Sequence, residues 1–286
     1  MILVTGATGT VGSALLPILA EHGASVRALA HSQAGRAAIE AHGAEAVDGD
    51  FDRPETLERA MAGCDRVFLL SPASPAQAGR ERRAIDIAGQ AGVAHVVALS
   101  VMGASHDSPM GFARWHAEID DHLAAAGVGH TILRPAGFMQ SHLLPVDTVR
   151  AEGAWYGMTG DGASGFIDAA DIAAVAAHVL TTDGHEGATY EVTGPESISM
   201  PQAAAQLSEV IGGDVRYVDV PADGFRANLA GAGLPDWLAD SLVALYGAIR
   251  AGHAATVTNE VEKATGRPAR PYRQFAENHR DAFAAA

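Results

Sequence analysis

Val4-Thr5-Gly6-Ala7-Thr8-Gly9-Thr10-Val11-Gly12 is the stretch that decides how the rest of the chain is read. An apolar run, Ile2-Leu3-Val4, enters glycines spaced G-x-x-G-x-x-G, and a helical pattern follows from Val11. Each glycine has a physical role if the turn cradles a pyrophosphate. Gly6 permits the sharp turn off the strand, Gly9 carries no Cβ to obstruct close approach, and Gly12 lets the helix pack tightly on the sheet. The helix start offers free N–H groups and a partial positive charge to phosphate oxygens. Glycines alone are weak evidence, because tight turns often hold them. The context supplies the specificity.

That context is an alternation of short apolar runs and helical stretches. Strands are predicted at Ile2–Thr5, Ser25–Ala30, Glu45–Asp48, Arg66–Ser71, His95–Ser100 and Thr131–Arg134. Between them fall helices near Val11–Glu21, Ala34–Ala41, Pro54–Met61, Ala78–Ala91 and Phe112–Ala126. Such a rhythm requires a parallel sheet with helices on both faces, the doubly wound α/β architecture of Rossmann type. After Arg134 the rhythm loosens. One more helix is read at Asp168–Leu180 and one more strand at Thr189–Val192, returning to the main sheet. The tail reads as mainly helical, over Met200–Ile211, Ala222–Ala230, Asp236–Ala251, Glu260–Ala264 and Tyr272–Phe283, with one strand at Val215–Val220. The expected organisation is a dinucleotide-binding domain, 1–135 completed by 166–194, and a smaller, mainly helical substrate-binding lobe, 136–165 and 195–286.

Composition narrows the function classes. Nineteen basic against 34 acidic residues leave a net charge of −15, with no basic run to offset it. That surface repels phosphate backbones and anionic lipid, so neither nucleic acid nor membrane is an expected partner. A single cysteine, Cys64, excludes an intrachain disulfide and a cysteine-built metal site. The histidines are dispersed without a trustworthy ligand spacing, and no metal is expected. No apolar run reaches the ~18 residues of a membrane span, and a strand at the N-terminus leaves no room for a signal segment. The expected location is the cytoplasm. Oligomeric state is not legible.

The end of the second strand decides which dinucleotide is preferred. NAD sites usually place an acid there for the ribose 2′-hydroxyl. Here Arg27-Ala28-Leu29-Ala30-His31-Ser32-Gln33-Ala34-Gly35-Arg36 contains none. Arg27, His31, Ser32 and Arg36 are instead candidates for a 2′-phosphate, so NADP(H) is expected ahead of NAD(H).

These features together resemble a family. The Val4–Gly12 turn, Val26-Arg27-Ala28-Leu29, Gly49-Asp50-Phe51-Asp52 and Thr131-Ile132-Leu133-Arg134-Pro135-Ala136-Gly137-Phe138-Met139 carry the likeness. Phe166-Ile167-Asp168, Asp171-Ile172-Ala173, His116-Ala117-Glu118-Ile119-Asp120 and Thr265-Gly266-Arg267-Pro268 extend it over nearly the whole chain. The sequence resembles the NmrA-like branch of the atypical short-chain dehydrogenase/reductases. Within it, the sequence is similar to the type 2 NADPH:quinone oxidoreductases and the triphenylmethane reductases. The resemblance implies that Thr8, Gly9, Thr10 and Val11 line the pyrophosphate and that Asp50 and Phe51 flank the adenine. It implies further that Leu70, Ser71 and Pro72 edge the nicotinamide ribose, while Ser100, Val101, Met102 and Pro135–Phe138 border the nicotinamide. Members often carry a second arginine where His31 stands, a departure that weakens the phosphate assignment.

Typical short-chain dehydrogenases use Tyr-x-x-x-Lys on one helix face to pass a proton to the substrate. The corresponding helix here has Phe112-x-x-x-His116, and phenylalanine donates no proton. Hydride transfer then needs an acceptor electrophilic enough to dispense with a positioned acid, such as a quinone, an enone, an imine or a cationic dye. His116 is the candidate for a polar contact to ribose or substrate, against plain packing on Trp115 and Ile119. Ser100 is the candidate for a hydrogen bond to the carboxamide or substrate. Met102, Phe138, Met139 and Tyr156 are candidates for the acceptor pocket, as is Met158; the alternative for the residues from Phe138 on is the core between the lobes, favoured for Trp155. Asp168 and Asp171 read as helix caps. The sequence thus points to an NADPH-dependent reductase of a small conjugated acceptor. The alternative is an NADP(H)-binding redox sensor that acts through a protein partner. An open space above the nicotinamide separates the two.

Overall fold

The computed structural model describes residues 1–283. Seven strands form one parallel sheet: β1 (Ile2–Val4), β2 (Val26–Ala30), β3 (Glu45–Asp48), β4 (Arg66–Leu69), β5 (His95–Leu99), β6 (Gly129–Pro135) and, later in the chain, β9 (Ala188–Val192). Their order is β3-β2-β1-β4-β5-β6-β9. The crossovers are α1 (Thr10–Glu21), α2 (Gln33–Glu40), α3 (Pro54–Met61), α4 (Gln77–Gln90), α5 (Gly111–Ala125) and α7 (Ala169–Thr181). A parallel strand covered on both faces must be apolar throughout, and β1 and β5 are buried at every residue. Alternate residues serve the two faces. Val4, Ala28, Phe68, Val97 and Leu133 pack towards α1 and α7, whereas Leu3, Leu29, Val67, Val96 and Ile132 pack with residues of α3, α4 and α5. Alanines at 173, 174, 176 and 177 keep α7 slender where it lies on α1.

Between β6 and β9 the chain forms a 3₁₀ turn (Met139–Leu143), α6 (Val146–Glu152), β7 (Ala154–Gly157) and β8 (Ala163–Ser164). After β9 come β10 (Ile198–Ser199), α8 (Met200–Ile211), β11 (Arg216–Asp219), α9 (Ala222–Gly231), α10 (Asp236–Arg250), α11 (Glu260–Thr265), α12 (Tyr272–Asn278) and α13 (Arg280–Phe283). β11 pairs parallel with β7, and β10 antiparallel with β8, so the two irregular stretches are stitched together. Neither β7 nor α6 carried a readable periodicity. A capping box between Ser199 and Gln202 starts α8. The single helix expected at Tyr272–Phe283 is two helices, because His279 turns its Nδ1 onto the Phe275 carbonyl at 2.9 Å and leaves helical geometry. A third core gathers Trp155, Phe166, Leu207, Tyr272 and Phe275 around buried His142. α11 does not join that core but packs on α7 and β9. No helix among the described residues is long and apolar enough to cross a membrane.

Candidate active site

Sheet growth reverses between β1 and β4, and the crevice at their carboxyl ends is where an open α/β sheet binds ligands. The glycine turn opens there. Thr5 ties the two strand ends, its Oγ1 lying 2.9 Å from Leu70 O and accepting the Leu70 N–H at 2.7 Å. Gly6 adopts φ +61°, the left-handed region that glycine enters without strain. Gly9 is the N-cap of α1 and supplies no side-chain cap, so the first N–H groups of the helix face outward without an intrahelical acceptor. Thr8, Gly9 and Thr10 are exposed around that helix start. Val11 and Gly12 are buried, so Val11 offers the turn its backbone only.

A polar hollow of about 700 Å³ lies at the end of β2, lined by His31, Ser32, Arg36, Asp50, Arg53 and Arg59 among others. Ser32 also caps α2 by accepting the Gly35 N–H at 3.1 Å. Two of the three arginines are paired there, Arg36 with Asp48 at 2.8 Å and Arg53 with Asp50 at 3.1 Å. The Asp52 N–H, helped by Arg53, holds the Asp50 carboxyl below its ordinary range. Arg59 is exposed and has no ion pair among the described residues. Arg27, named above for this task, is not in the hollow. It shares the parity of Leu29 and faces α3, where its guanidinium holds Glu45 at 2.9 Å and the Ala60 and Ala62 carbonyls at 2.8 and 2.9 Å. Arg53 and Arg59 take its place. A reading confined to the strand end could not find them.

The second cavity, about 640 Å³, starts at Thr10 and passes Val101, Met102 and Gly103 after β5 and Pro135–Phe138 after β6. Met110, Phe112 and Phe166 form its sides, and Leu242, Leu245, Tyr246 and Ile249 of α10 roof it. α10 is docked on α5 by the Trp115–Trp237 ring pair, 5.1 Å between centroids, and by the Gly111 N–H donated to Ser241 Oγ at 3.0 Å. Met102 and Phe138 line this cavity. Met139 and Tyr156 do not. Met139 is buried in the third core, and Tyr156 points outward with its hydroxyl donated to Glu152 at 2.7 Å. Trp155 and Met158 are buried. The roof was not foreseen, since nothing local in residues 236–250 signals which strand ends it covers.

His116 is not on the cavity wall. One turn beyond Phe112 its ring turns inward, 94% buried, with Nε2 3.4 Å from the Gln77 amide nitrogen and Nδ1 unpartnered. Burial pushes its pKa down to about 4, so the ring is neutral near pH 7. Gln77 in turn donates to Glu81 at 3.1 Å, and Ser71 gives the same carboxylate oxygen its N–H at 3.0 Å and its hydroxyl at 2.7 Å. Burial outweighs those bonds and lifts Glu81 to about 7. Ser100 faces the same interior. Its hydroxyl is donated to Asp120 at 2.9 Å, and Arg134 holds that carboxylate at 2.8 Å. Phe51 likewise packs in the core, Leu70 O takes part in the Thr5 tie, and Pro72 is exposed beside them. Asp168 caps α7 by accepting the Ala170 N–H at 2.9 Å, whereas Asp171 pairs with Arg270 instead.

Known proteins point the same way. The model of a family described as NAD(P)H-binding matches residues 6–183. An NAD(P)H azoreductase of Xenophilus azovorans is 39% identical over 286 residues, all of both chains. A (4-alkanoyl-5-oxo-2,5-dihydrofuran-3-yl)methyl phosphate reductase of Streptomyces griseus is 38% identical over 285 residues, 99% of each. The structure of an NADPH-dependent quinone oxidoreductase of Escherichia coli complexed with NADPH superposes with a TM-score of 0.88 at 30% identity, covering 97% of this chain and 99% of that one.

Proposed function

The chain belongs to the NAD(P)H-binding family, and on that premise we propose that it is an NADPH-dependent reductase of small conjugated acceptors, azo compounds and quinones among them. The observation that carries this reading is the apolar cavity running from the glycine turn to the α10 roof. A sensor without turnover has no use for so large a space above the strand ends.

The chain's own residues fit the cofactor. Thr8, Gly9, Thr10 and the open N–H groups of α1 would hold the pyrophosphate, and His31, Ser32, Arg53 and Arg59 the 2′-phosphate end. Val101, Met102 and Pro135–Phe138 would border the nicotinamide end. Bound there, the nicotinamide supplies a hydride. Residues 1–135 with 166–194 supply the pyrophosphate and 2′-phosphate ends of the cofactor site, and 136–165 with 195–283 add the roof of the acceptor cavity, whose walls come from both parts. None of the three side chains named from the sequence replaces the absent tyrosine: Phe112 reaches the cavity without a proton, His116 is neutral and turned inward, and the Ser100 proton is committed to Asp120. The proton that balances the hydride comes from water or from a weak donor of the wall such as the Tyr246 hydroxyl, which suits acceptors whose reduced form is a stabilised anion.

NADPH consumption with a panel of quinones, azo compounds and cationic dyes tests the reading. Saturable turnover on at least one class is expected. Tight NADPH binding with no reduction across the panel would overturn it in favour of the sensor. Cofactor choice is tested separately. Arg59→Glu is expected to raise the dissociation constant for NADPH about 10- to 100-fold, as for loss of a charge-assisted phosphate contact, with NADH binding little changed. Equal losses for both cofactors would remove Arg59 from the 2′ position.

A further inference from the structure

We infer that Tyr246, on the roof, donates a hydrogen bond to the acceptor oxygen on which the transferred electron pair collects. A tyrosine of α10 thus does part of what the tyrosine missing from α5 would do. The inference rests on the reductase reading and names a residue for it.

Few polar side chains of the cavity wall are free to serve a guest. Gln140 is spent, its amide donated to Asp168 at 2.9 Å and its oxygen accepting the Ala169 N–H at 3.0 Å. Ser141 donates its hydroxyl to the Phe138 carbonyl at 2.7 Å. Thr10 stands at the pyrophosphate end, and His253 and Thr256 are exposed at the rim. Ser164 and Tyr246 remain, and neither hydroxyl has a hydrogen-bond partner among the described residues.

Of the two, Tyr246 has the stronger donor, because a phenol is more acidic than an aliphatic alcohol. Its ring is half-buried and held against Phe225 of α9, 5.0 Å between centroids. Tyr272, in the third core, has an equally unpaired hydroxyl that is shut off from open space. The Tyr246 hydroxyl is not shut off, and the space its residue lines is the cavity. Burial lifts its pKa to about 12, so near pH 7 it keeps its proton and acts as a hydrogen-bond donor. Val101, Met102 and Pro135–Phe138 border the opposite, nicotinamide end, so an acceptor lying between takes hydride at one end and meets the roof at the other. In a quinone the hydride joins one carbonyl oxygen, and conjugation delivers an electron pair to the far carbonyl oxygen. Tyr246 hydrogen-bonds to that anionic oxygen, and the proton that completes the hydroquinone arrives from water.

Tyr246→Phe keeps the ring on Phe225 and removes only the hydroxyl. With menadione its kcat/KM is expected to fall about 10- to 100-fold, as for loss of a hydrogen bond to a charged oxygen, with NADPH affinity and thermal midpoint unchanged. Malachite green takes hydride at a cationic carbon and becomes neutral, so its reduction is expected to stay at the parent rate. Equal losses with both acceptors, or no loss with menadione, would overturn the inference. So would a larger menadione loss in Ser164→Ala than in Tyr246→Phe. A binding measurement needs no turnover: 4-nitrophenol is titrated by absorbance on the full chain saturated with NADP⁺. Its bound pKa is expected to lie at least about one unit lower on the parent than on Tyr246→Phe, because the hydroxyl favours the phenolate. Equal values would also overturn the inference. If that difference holds while the parent reduces neither menadione nor malachite green, Tyr246 stands as the group that binds the anionic oxygen and the reductase reading falls.

Discussion

Gly9→Val is expected to keep the thermal midpoint within a few degrees of the parent while raising the dissociation constant for NADPH roughly 100-fold or more, about 2.7 kcal/mol. Gly12→Ala, a smaller change, is expected to cost about 2–3 kcal/mol of fold stability as well as the cofactor. The difference lies in what a Cβ would touch. At Gly9 the nearest atom is Gly6 O at 3.2 Å, and φ −81° with ψ 178° is open to any residue. The new side chain projects from the exposed helix start into the space the phosphates require. At Gly12 a Cβ would lie 2.2 Å from Gly6 O and 2.7 Å from Ala7 Cα, backbone that cannot yield without remaking the turn. Thermal melts and a fluorescence titration with NADPH separate the cases. Unchanged NADPH affinity in Gly9→Val would end the assignment of this turn to the pyrophosphate.

The same contrast explains what could be read from the sequence. Strands buried on both faces must be apolar, and a left-handed turn at Gly6 favours glycine, so sheet and turn announce themselves locally. Arg27 was misplaced although its parity with Leu29 already turned it towards α3. Arg53 and Arg59 lie on or beside another helix, α3, and only its packing beside β3 brings them to the hollow. The roof comes from α10, more than 100 residues beyond Phe138, joined by contacts that no spacing rule encodes. His116 was placed on the correct helix. The shared face of Phe112 and His116 proved too coarse a rule, because the first reaches the cavity and the second packs beneath it on Gln77.

That buried layer yields the other large expectation, a pH-dependent stability that Glu81→Gln removes. Ser71 and Gln77 donate to one oxygen of Glu81, and the other has no partner among the described residues. Burial raises its pKa from 4.5 to about 7, with nearby Asp120 adding to the shift. Between those values the unfolded chain has released the proton and the folded chain retains it, so this group's contribution is fully present below about pH 4.5 and is lost as pH rises to about 7. At 1.36 kcal/mol per unit the loss is about 3 kcal/mol. His116 acts in the opposite sense on the acid side. Its pKa falls from 6.5 to about 4, so stability declines as pH drops through that interval. Glutamine keeps an acceptor for Ser71 and Gln77 but cannot ionise. The unfolding free energy of Glu81→Gln relative to the parent should therefore climb by about 3 kcal/mol from pH 4.5 to 8, measured by denaturant titration at each pH. Parallel curves would mean that Glu81 titrates in the folded protein as it does in the unfolded chain, its charge held by the Ser71 and Gln77 donors. The layer beneath the cavity would then be a fixed anion facing the strand ends rather than a neutral acid.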